Sequence, residues 1–296
     1  MRIATRASAL ALAQARTVAA VLPGETEIVE ITTAGDRGAA PGSDKSRWVA
    51  ELERALLEGD ADVAVHSAKD VPGTLPDGLE IVAVPARGDA RDALCGAPSL
   101  DALPAGARVG TQSLRRRALL LAARTDLEIV PLGGNVDTRL RKLGEGAADA
   151  LVLAHAGLER LERTDEAGAL LDPESFVPAP GQGALALEAR AGDDAARAAL
   201  ATLHNPGAAA CLAAERALAA DLGGSCHTPI GAHAAPLAGG RLSLRAFVGL
   251  PDGSAWLRDV VEGSAGEPEH LGRETAARLL AAGARELLDA AEAAAA

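Results

Sequence analysis

Along its first half the chain alternates two hydrophobic rhythms. Short apolar runs of strand length are followed by stretches with apolar residues at helical spacing, the order of βα units in a parallel sheet. Arg2–Thr5 reads as a strand. Ser8 can cap a helix over Ala9–Val21, whose apolar face includes Leu10, Leu12, Val18 and Val21. Glu27–Thr32 reads as a strand, Trp48–Leu57 as a helix and Asp62–His66 as a short, mostly apolar strand. Between them Ala34–Ser46, rich in Gly, Pro, Ser and charge, predicts a mobile loop. The series then recurs: strand Arg108–Gly110, helix Leu114–Ala123 capped by Ser113, strand Leu127–Leu132, helix Thr138–Leu143, strand Ala150–Ala154. The letters match too, Glu27-Ile-Val-Glu-Ile beside Glu128-Ile-Val-Pro-Leu.

This pattern predicts an α/β protein with two lobes of like topology, at 1–85 and 90–178. Val177-Pro-Ala-Pro-Gly-Gln-Gly183 reads as a rigid crossing segment, and a strand over Ala184–Arg190 returns to the first lobe, which regains about 184–202. From 206 the character changes. A helix over Ala208–Ala220, strands at Arg241–Val248 and Ser254–Val261, and a long helix from about Glu267 predict a small α+β domain over 206–296.

Composition narrows the function. The net charge is −12 and aromatics are 1% of the chain, with no Tyr, which argues against nucleic-acid binding and base stacking. No apolar run approaches the roughly 18 residues that span a bilayer, and the N-terminus lacks the order of a signal peptide. A cytoplasmic protein is expected, with no nucleic-acid or membrane partner. Three cysteines without close pairing argue against a disulfide framework. Cys95 and Cys211 have apolar or small neighbours and read as core residues.

Any basic site must therefore be local. Thr5-Arg-Ala-Ser8 and Thr111-Gln-Ser113 each join a strand to a helix, where free backbone N–H groups and the positive dipole end face an anion. Arg6 adds a guanidinium to the first junction, Arg115 and Arg116 add two to the second, and Arg139 follows the Gly133-Gly-Asn135 turn. Arginine grips carboxylates in a fork. Asp70 follows the strand Asp62–His66, at the carboxyl end where open α/β sheets bind ligands, with Lys69 beside it. A carboxylate there can donate a proton or stabilise a cation. Cys226 lies in the glycine-rich turn Leu222-Gly-Gly-Ser-Cys-His-Thr-Pro-Ile-Gly231, suited to an exposed thiol. A zinc site from Cys226, His227 and His233 lacks the expected paired spacing.

These segments together resemble the porphobilinogen deaminase (hydroxymethylbilane synthase) family. The matches run from Arg2-Ile-Ala-Thr-Arg-Ala-Ser8 and Glu51-Leu-Glu-Arg-Ala-Leu-Leu57 through Ala64-Val-His-Ser-Ala-Lys-Asp-Val-Pro72 and Asp89-Ala-Arg-Asp92. They continue through Gly110–Arg116, Gly134-Asn-Val-Asp-Thr-Arg139, Ala156-Gly-Leu-Glu-Arg160, Pro180-Gly-Gln-Gly183 and Ala214-Glu-Arg216 with the cysteine turn. The resemblance implies a fold of two lobes like those of bilobal periplasmic binding proteins, plus a cysteine-bearing third domain. It implies a monomeric transferase that joins four porphobilinogen units, with loss of ammonia, into linear hydroxymethylbilane for tetrapyrrole (haem, chlorophyll, cobalamin) biosynthesis. It implies a dipyrromethane primer on a Cys226 thioether. Asp70 matches the catalytic aspartate, which assists loss of the aminomethyl nitrogen and stabilises the azafulvene cation, with Lys69 beside it. Arg6, Ser8, Lys69, Thr111, Ser113, Arg115, Arg116, Arg139 and Arg160 match groups around the cofactor and the substrate's acid side chains, and Lys45, Trp48 and Gln182 substrate and loop positions.

Three departures stand out. The family's arginine before Gly-Asn is Gly133 here. Its loop Gly-Gly-Lys-Gly-Leu-Phe is Ser43-Asp-Lys-Ser-Arg-Trp48, and its glycine before the cysteine is Ser225. Arg141, Lys142 and Arg47 are each near enough in sequence, or on the loop, to supply the charge missing at Gly133. A bilobal solute-binding protein would share the lobes but would need an export signal and would have no use for Cys226.

Overall fold

The computed structural model describes residues 1–37, 45–223 and 228–295, with the backbone alone at 45, 47 and 295. The first sheet is built from β1 (Arg2–Arg6), β2 (Glu27–Ile31), β3 (Val63–Ser67) and β4 (Leu79–Ala83), with α1 (Ala9–Ala19) and α2 (Ala50–Glu58) connecting them. The chain then crosses to a second sheet of β5 (Asp92–Cys95), β6 (Arg108–Gly110), β7 (Glu128–Val130), β8 (Ala150–Ala154) and β9 (Ala167–Leu170), with α3 (Leu114–Ala123), α4 (Val136–Gly144) and α5 (His155–Arg160). It returns as β10 (Leu185–Arg190), followed by α6 (Asp194–Leu200). The third unit comprises α7 (Pro206–Asp221), β11 (Ile230–Leu237), β12 (Arg241–Gly249), β13 (Trp256–Ser264), α8 (Pro268–Ala281) and α9 (Ala284–Ala295).

The sheet orders are β2-β1-β3-β10-β4 and β7-β6-β8-β5-β9. They superimpose term by term. In each, the first three strands are parallel, and the fourth arrives antiparallel after a crossing from the other lobe. The two-lobed α/β fold with a small C-terminal domain is thus present as the sequence predicts. The differences lie in short or interrupted elements. β4, β5, β9 and β11 carry no clear alternation in the sequence, because they are short, buried on both faces or, in β11, interrupted by Pro236. The predicted long C-terminal helix is two helices, since Gly283 between them takes φ +99°, a conformation that favours glycine.

Local chemistry starts the helices that matter for the cleft. The Ser8 hydroxyl accepts from Ala11 N–H (3.3 Å) at the start of α1, and the Ser113 hydroxyl accepts from Arg116 N–H (3.4 Å) at the start of α3. Asn205 caps α7 through Ala208 N–H (2.9 Å), with Pro206 in its first turn. Each lobe has its own apolar core, and β11–β13 pack on α7, α8 and α9. Phe247 of β12 is fully buried in the core of the second lobe and fixes the third unit against it.

The crossings lie at 84–91 and 171–184, the second buried over 181–184. Glu215 of α7 ties them together. Its carboxylate is fully buried and accepts from Arg87 Nη1 (2.6 Å) and Nη2 (3.1 Å), Gly181 N–H (2.7 Å) and Ala234 N–H (2.7 Å). Glu215→Ala strands the Arg87 guanidinium and two amides, and removing one partner of a buried ion pair costs about 3–5 kcal/mol. Equilibrium unfolding in urea should show a loss of that size, larger than in Glu215→Gln. A loss no greater than the roughly 0.5 kcal/mol of a surface substitution would remove Glu215 from this role.

Candidate active-site cleft

The parallel strands of both lobes point their carboxyl ends at one cleft. β1 delivers Arg6 and Ser8, β3 delivers Lys69 and Asp70 on a single 3-10 turn, and β8 runs into α5 and Arg160. The turn after β7 delivers Arg139. This is where open α/β sheets bind ligands.

Lys69 and Asp70 face the second lobe. Burial pushes the Lys69 ammonium down to about 8; Asp70 and Asp92 oppose the shift, and Arg116 and Arg139 add to it. Burial likewise lowers Arg139 to about 10, with Arg116 adding and Asp70 opposing. Arg160 is also lowered by burial. None of the three has a hydrogen-bonded carboxylate among the described residues. Arg139 Nε donates to Gly134 O (2.6 Å) and Arg160 Nη2 to Gly183 O (2.6 Å). Asp70, half-buried, makes no hydrogen bond or ion pair among the described residues. The cleft is therefore a set of desolvated cations with no hydrogen-bonded carboxylate among the described residues, around one carboxylate, Asp70, that is itself without such a partner. Such a donor set fits a polyanion that brings its own carboxylates.

Beneath the first lobe's share lies a small cavity of about 50 Å³, lined by Arg6, Ser8, Gln14, Trp48, His66 and Asp70 among others. The Gln14 amide donates to the Ser67 hydroxyl (2.9 Å). His66 Nε2 lies 2.9 Å from Glu188 Oε2, a pair wholly inside the sheet.

Several expected ligand groups sit elsewhere. Arg115 and Arg116 do not present open forks. Both close on Asp92, a fully buried carboxylate at the start of β5, at 2.8 Å and 2.7 Å. Arg115 Nη1 also donates to Val177 O (2.6 Å), and Arg116 Nη1 to Val152 O (2.9 Å). Their guanidiniums hold the Asp92 carboxyl below its usual range despite burial. Gln182, expected near substrate, is 1% exposed and donates to Ala90 O (2.7 Å) and Asp92 Oδ1 (3.1 Å), bracing one crossing against the other. Thr111 is buried, and its hydroxyl accepts from Ser113 N–H (3.1 Å). Arg6 pairs with Asp36 and lies 4.2 Å from the Trp48 ring centroid. Cys226 and the side chain of Lys45 lie outside the described residues. Cys95 and Cys211 are buried, and burial raises the Cys95 thiol to about 11 and the Cys211 thiol above its usual value. Neither is a ready nucleophile.

Sequence reasoning missed Asp92, Glu188, Glu215 and Asp36. The signal for two of them was present. Asp92 and Glu188 are charges inside otherwise apolar strand segments, Asp92-Ala-Leu-Cys95 and Leu185-Ala-Leu-Glu-Ala-Arg190.

The fold and cleft define a two-lobed α/β protein with a cation-lined cleft and a third, α+β domain. Residues 1–198 match the model of the porphobilinogen deaminase dipyrromethane cofactor binding domain, and 209–281 that of the porphobilinogen deaminase C-terminal domain. The porphobilinogen deaminases of Roseiflexus castenholzii, Thiobacillus denitrificans and Thermus thermophilus are 48%, 47% and 47% identical. The alignments cover 97%, 98% and 97% of this chain and 98%, 98% and 97% of theirs. A periplasmic binding protein from Salmonella typhimurium aligns more loosely, over 68% of this chain and 92% of its own, with TM-score 0.38 and 13% identity. The chain belongs to the porphobilinogen deaminase family. Among the described residues no helix is long and apolar enough to cross a membrane, and no group of three or more His, Cys, Asp or Glu could hold a metal ion.

Lys69 offers a direct test of the cleft's charge. Below pH 8 it is an ammonium and can hold a carboxylate; above, it becomes a free amine. On apoprotein, acetylation of Lys69 by acetic anhydride, read by peptide mass spectrometry, should reach half its maximal rate near pH 8. Cofactor carboxylates favour the ammonium, so uptake of the cofactor should move the midpoint upward. A midpoint at the ordinary lysine value of about 10.4 in the apoprotein would contradict the desolvated cleft.

Proposed function

We infer that this chain polymerises porphobilinogen head to tail into hydroxymethylbilane on a dipyrromethane cofactor, in tetrapyrrole biosynthesis, as its family does. One observation carries the assignment of roles: Asp70, which makes no hydrogen bond or ion pair among the described residues, lies beside Lys69 on one turn and within electrostatic reach of Arg139 of the second lobe. We read 1–85 with about 184–202 as the catalytic lobe, 90–178 as the anion-binding lobe and 206–296 as the cofactor-attachment domain. The protein acts as a cytoplasmic monomer.

Each porphobilinogen carries an acetate and a propionate, so negative charge builds up as units join. Arg6, Ser8, Lys69, Arg139 and Arg160 bind these carboxylates and those of the cofactor. The buried Arg115 and Arg116, with Thr111 and Ser113, position the second lobe's wall through Asp92 and the start of α3. Lys45 and Trp48 border the substrate, and Gln182 positions the crossings. Asp70 sits beside the aminomethyl group. Its carboxylate holds the proton that leaves with ammonia and stabilises the positive charge that develops on the substrate pyrrole. The cofactor supplies the pyrrole carbon from which the chain is extended. With Cys95 and Cys211 buried, Cys226 is the thiol that would hold it.

Intact mass tests the attachment. Purified protein should exceed its sequence mass by two pyrrole units, an increment lost in Cys226→Ser and kept in Cys95→Ser and Cys211→Ser. Retention of the increment in Cys226→Ser places the attachment elsewhere. Asp70→Asn keeps shape and removes the charge. Turnover should fall roughly 10²–10³-fold, the usual effect of losing one electrostatic group, with little change in melting temperature. A near-normal rate would take Asp70 out of the mechanism.

A further inference from the structure

Arg6 differs from the other cleft cations. Lys69, Arg139 and Arg160 lack a hydrogen-bonded carboxylate among the described residues, whereas the Arg6 fork is filled. Asp36 takes Nη2 through Oδ1 and Nε through Oδ2, the latter at 3.3 Å. Both side chains are largely buried, 17% and 14% exposed. Yet Arg6 is the only Lys or Arg among the described residues that lines the cavity beside Asp70. An anion entering there meets a guanidinium already satisfied.

Asp36 has donors of its own to keep when it releases Arg6. Its Oδ2 also accepts from the Thr33 hydroxyl (2.8 Å) and Thr33 N–H (3.2 Å), and Asp36 N–H donates to the Thr33 hydroxyl (3.3 Å). These bonds stay within the turn and do not need Arg6. The turn is registered on the cavity by Gly35, where a Cβ would fall 2.1 Å from the Trp48 ring. Trp48 is thus held between the Gly35 backbone and the Arg6 guanidinium, 4.2 Å from its centroid. The ring fixes the plane of the fork whichever carboxylate fills it.

We propose that Asp36 is a surrogate for a porphobilinogen carboxylate: it fills the Arg6 fork until the substrate displaces it, and so sets substrate affinity on the first lobe. The proposal rests on the reading of the cleft as a porphobilinogen site. The exchange swaps one carboxylate for another at the same donors, so Arg6 is never left bare in a partly buried site. Its consequence is unusual in sign. Removing this charge should tighten substrate binding, whereas removing a residue that merely holds Arg6 in place should weaken it.

The test uses holoenzyme. Asp36→Asn should lower the KM for porphobilinogen about threefold to tenfold, tenfold being 1.4 kcal/mol. Asp36→Ser should give the same sign without an amide that could itself bind Arg6. Binding is read separately by Trp48 fluorescence in a Trp256→Phe, Asp70→Asn background, where Trp48 is the single tryptophan and turnover is slow. There Asp36→Asn should shift the porphobilinogen titration to lower concentration by the same factor. Arg6→Gln should weaken binding more than tenfold and abolish the effect of Asp36→Asn. Unchanged or weaker binding in both Asp36 variants, with Arg6→Gln impaired, overturns the surrogate and leaves the site intact. Normal binding in Arg6→Gln removes Arg6 from the substrate site, and the surrogate with it.

Discussion

The structure depends on how one buried carboxylate is satisfied. Glu215 receives four N–H donors, two from Arg87 and one each from Gly181 and Ala234. Four donors match the capacity of a carboxylate, the condition under which a charge is tolerated out of water. The donors come from the first crossing, the second crossing and β11, and the acceptor from α7. One charge pair therefore holds both lobes and the third domain in register. The order passes to the cleft by direct packing. Gly181, at φ +74°, lies so close to the Ala68–Lys69 backbone that a Cβ would come within 2.9 Å. From the other side Arg216, the next residue of α7, donates to Gly73 O at 3.0 Å. Lys69 and Asp70 are thus clamped by the crossing behind them and by the helix that leads toward Cys226.

The cations of this chain fall into two groups with different work. Arg87, Arg115 and Arg116 face buried carboxylates and are spent on architecture. Lys69, Arg139 and Arg160 have no hydrogen-bonded carboxylate among the described residues, and burial lowers the proton affinity of each, only partly offset by nearby carboxylates. This separation lets a chain of net charge −12 bind a polyanion. Net charge governs the distant field, but a desolvated cleft responds to the charges on its own walls. Because those walls belong to both lobes, carboxylates added to a growing chain can find cations on either side.

Much of this was legible in the sequence. The parallel strands and their helices announce themselves by period, and the term-by-term match of the two sheets was visible as a weak repeat. Asp70, Lys69 and Arg139 follow from their places at strand ends and turns. Of the antiparallel strands, β4, β5, β9 and β11 were not legible; β5, for one, is four residues long, buried throughout and opens on a charged residue. The destination of Arg115 and Arg116 was hidden for the same reason. Sequence shows a guanidinium and a helix start, but its partner Asp92 belongs to an element that only the crossing brings alongside. Buried pairs such as His66–Glu188 join strands far apart in the chain, and neither residue's spacing betrays the other.

The departure at Gly133 shows how local packing absorbs a missing charge. A Cβ at Gly133 would fall 2.4 Å from the amide oxygen of Gln112, so the volume that a side chain would enter is filled by an exposed glutamine. The turn is nevertheless flanked by cations. Lys142 Nζ donates to Gly133 O at 3.2 Å, and Arg139 donates to the next carbonyl, Gly134 O. Of the three cations that sequence leaves open, Arg141 is engaged by Glu145, and the side chain of Arg47 lies outside the described residues. Lys142 is the one the structure brings to Gly133. An ammonium has three donors, and a single carbonyl uses one of them. An ammonium from α4 therefore stands at this turn, where position 133 has no side chain of its own. A side chain placed at Gly133 would first meet the Gln112 amide, the end of a flexible side chain that can swing aside.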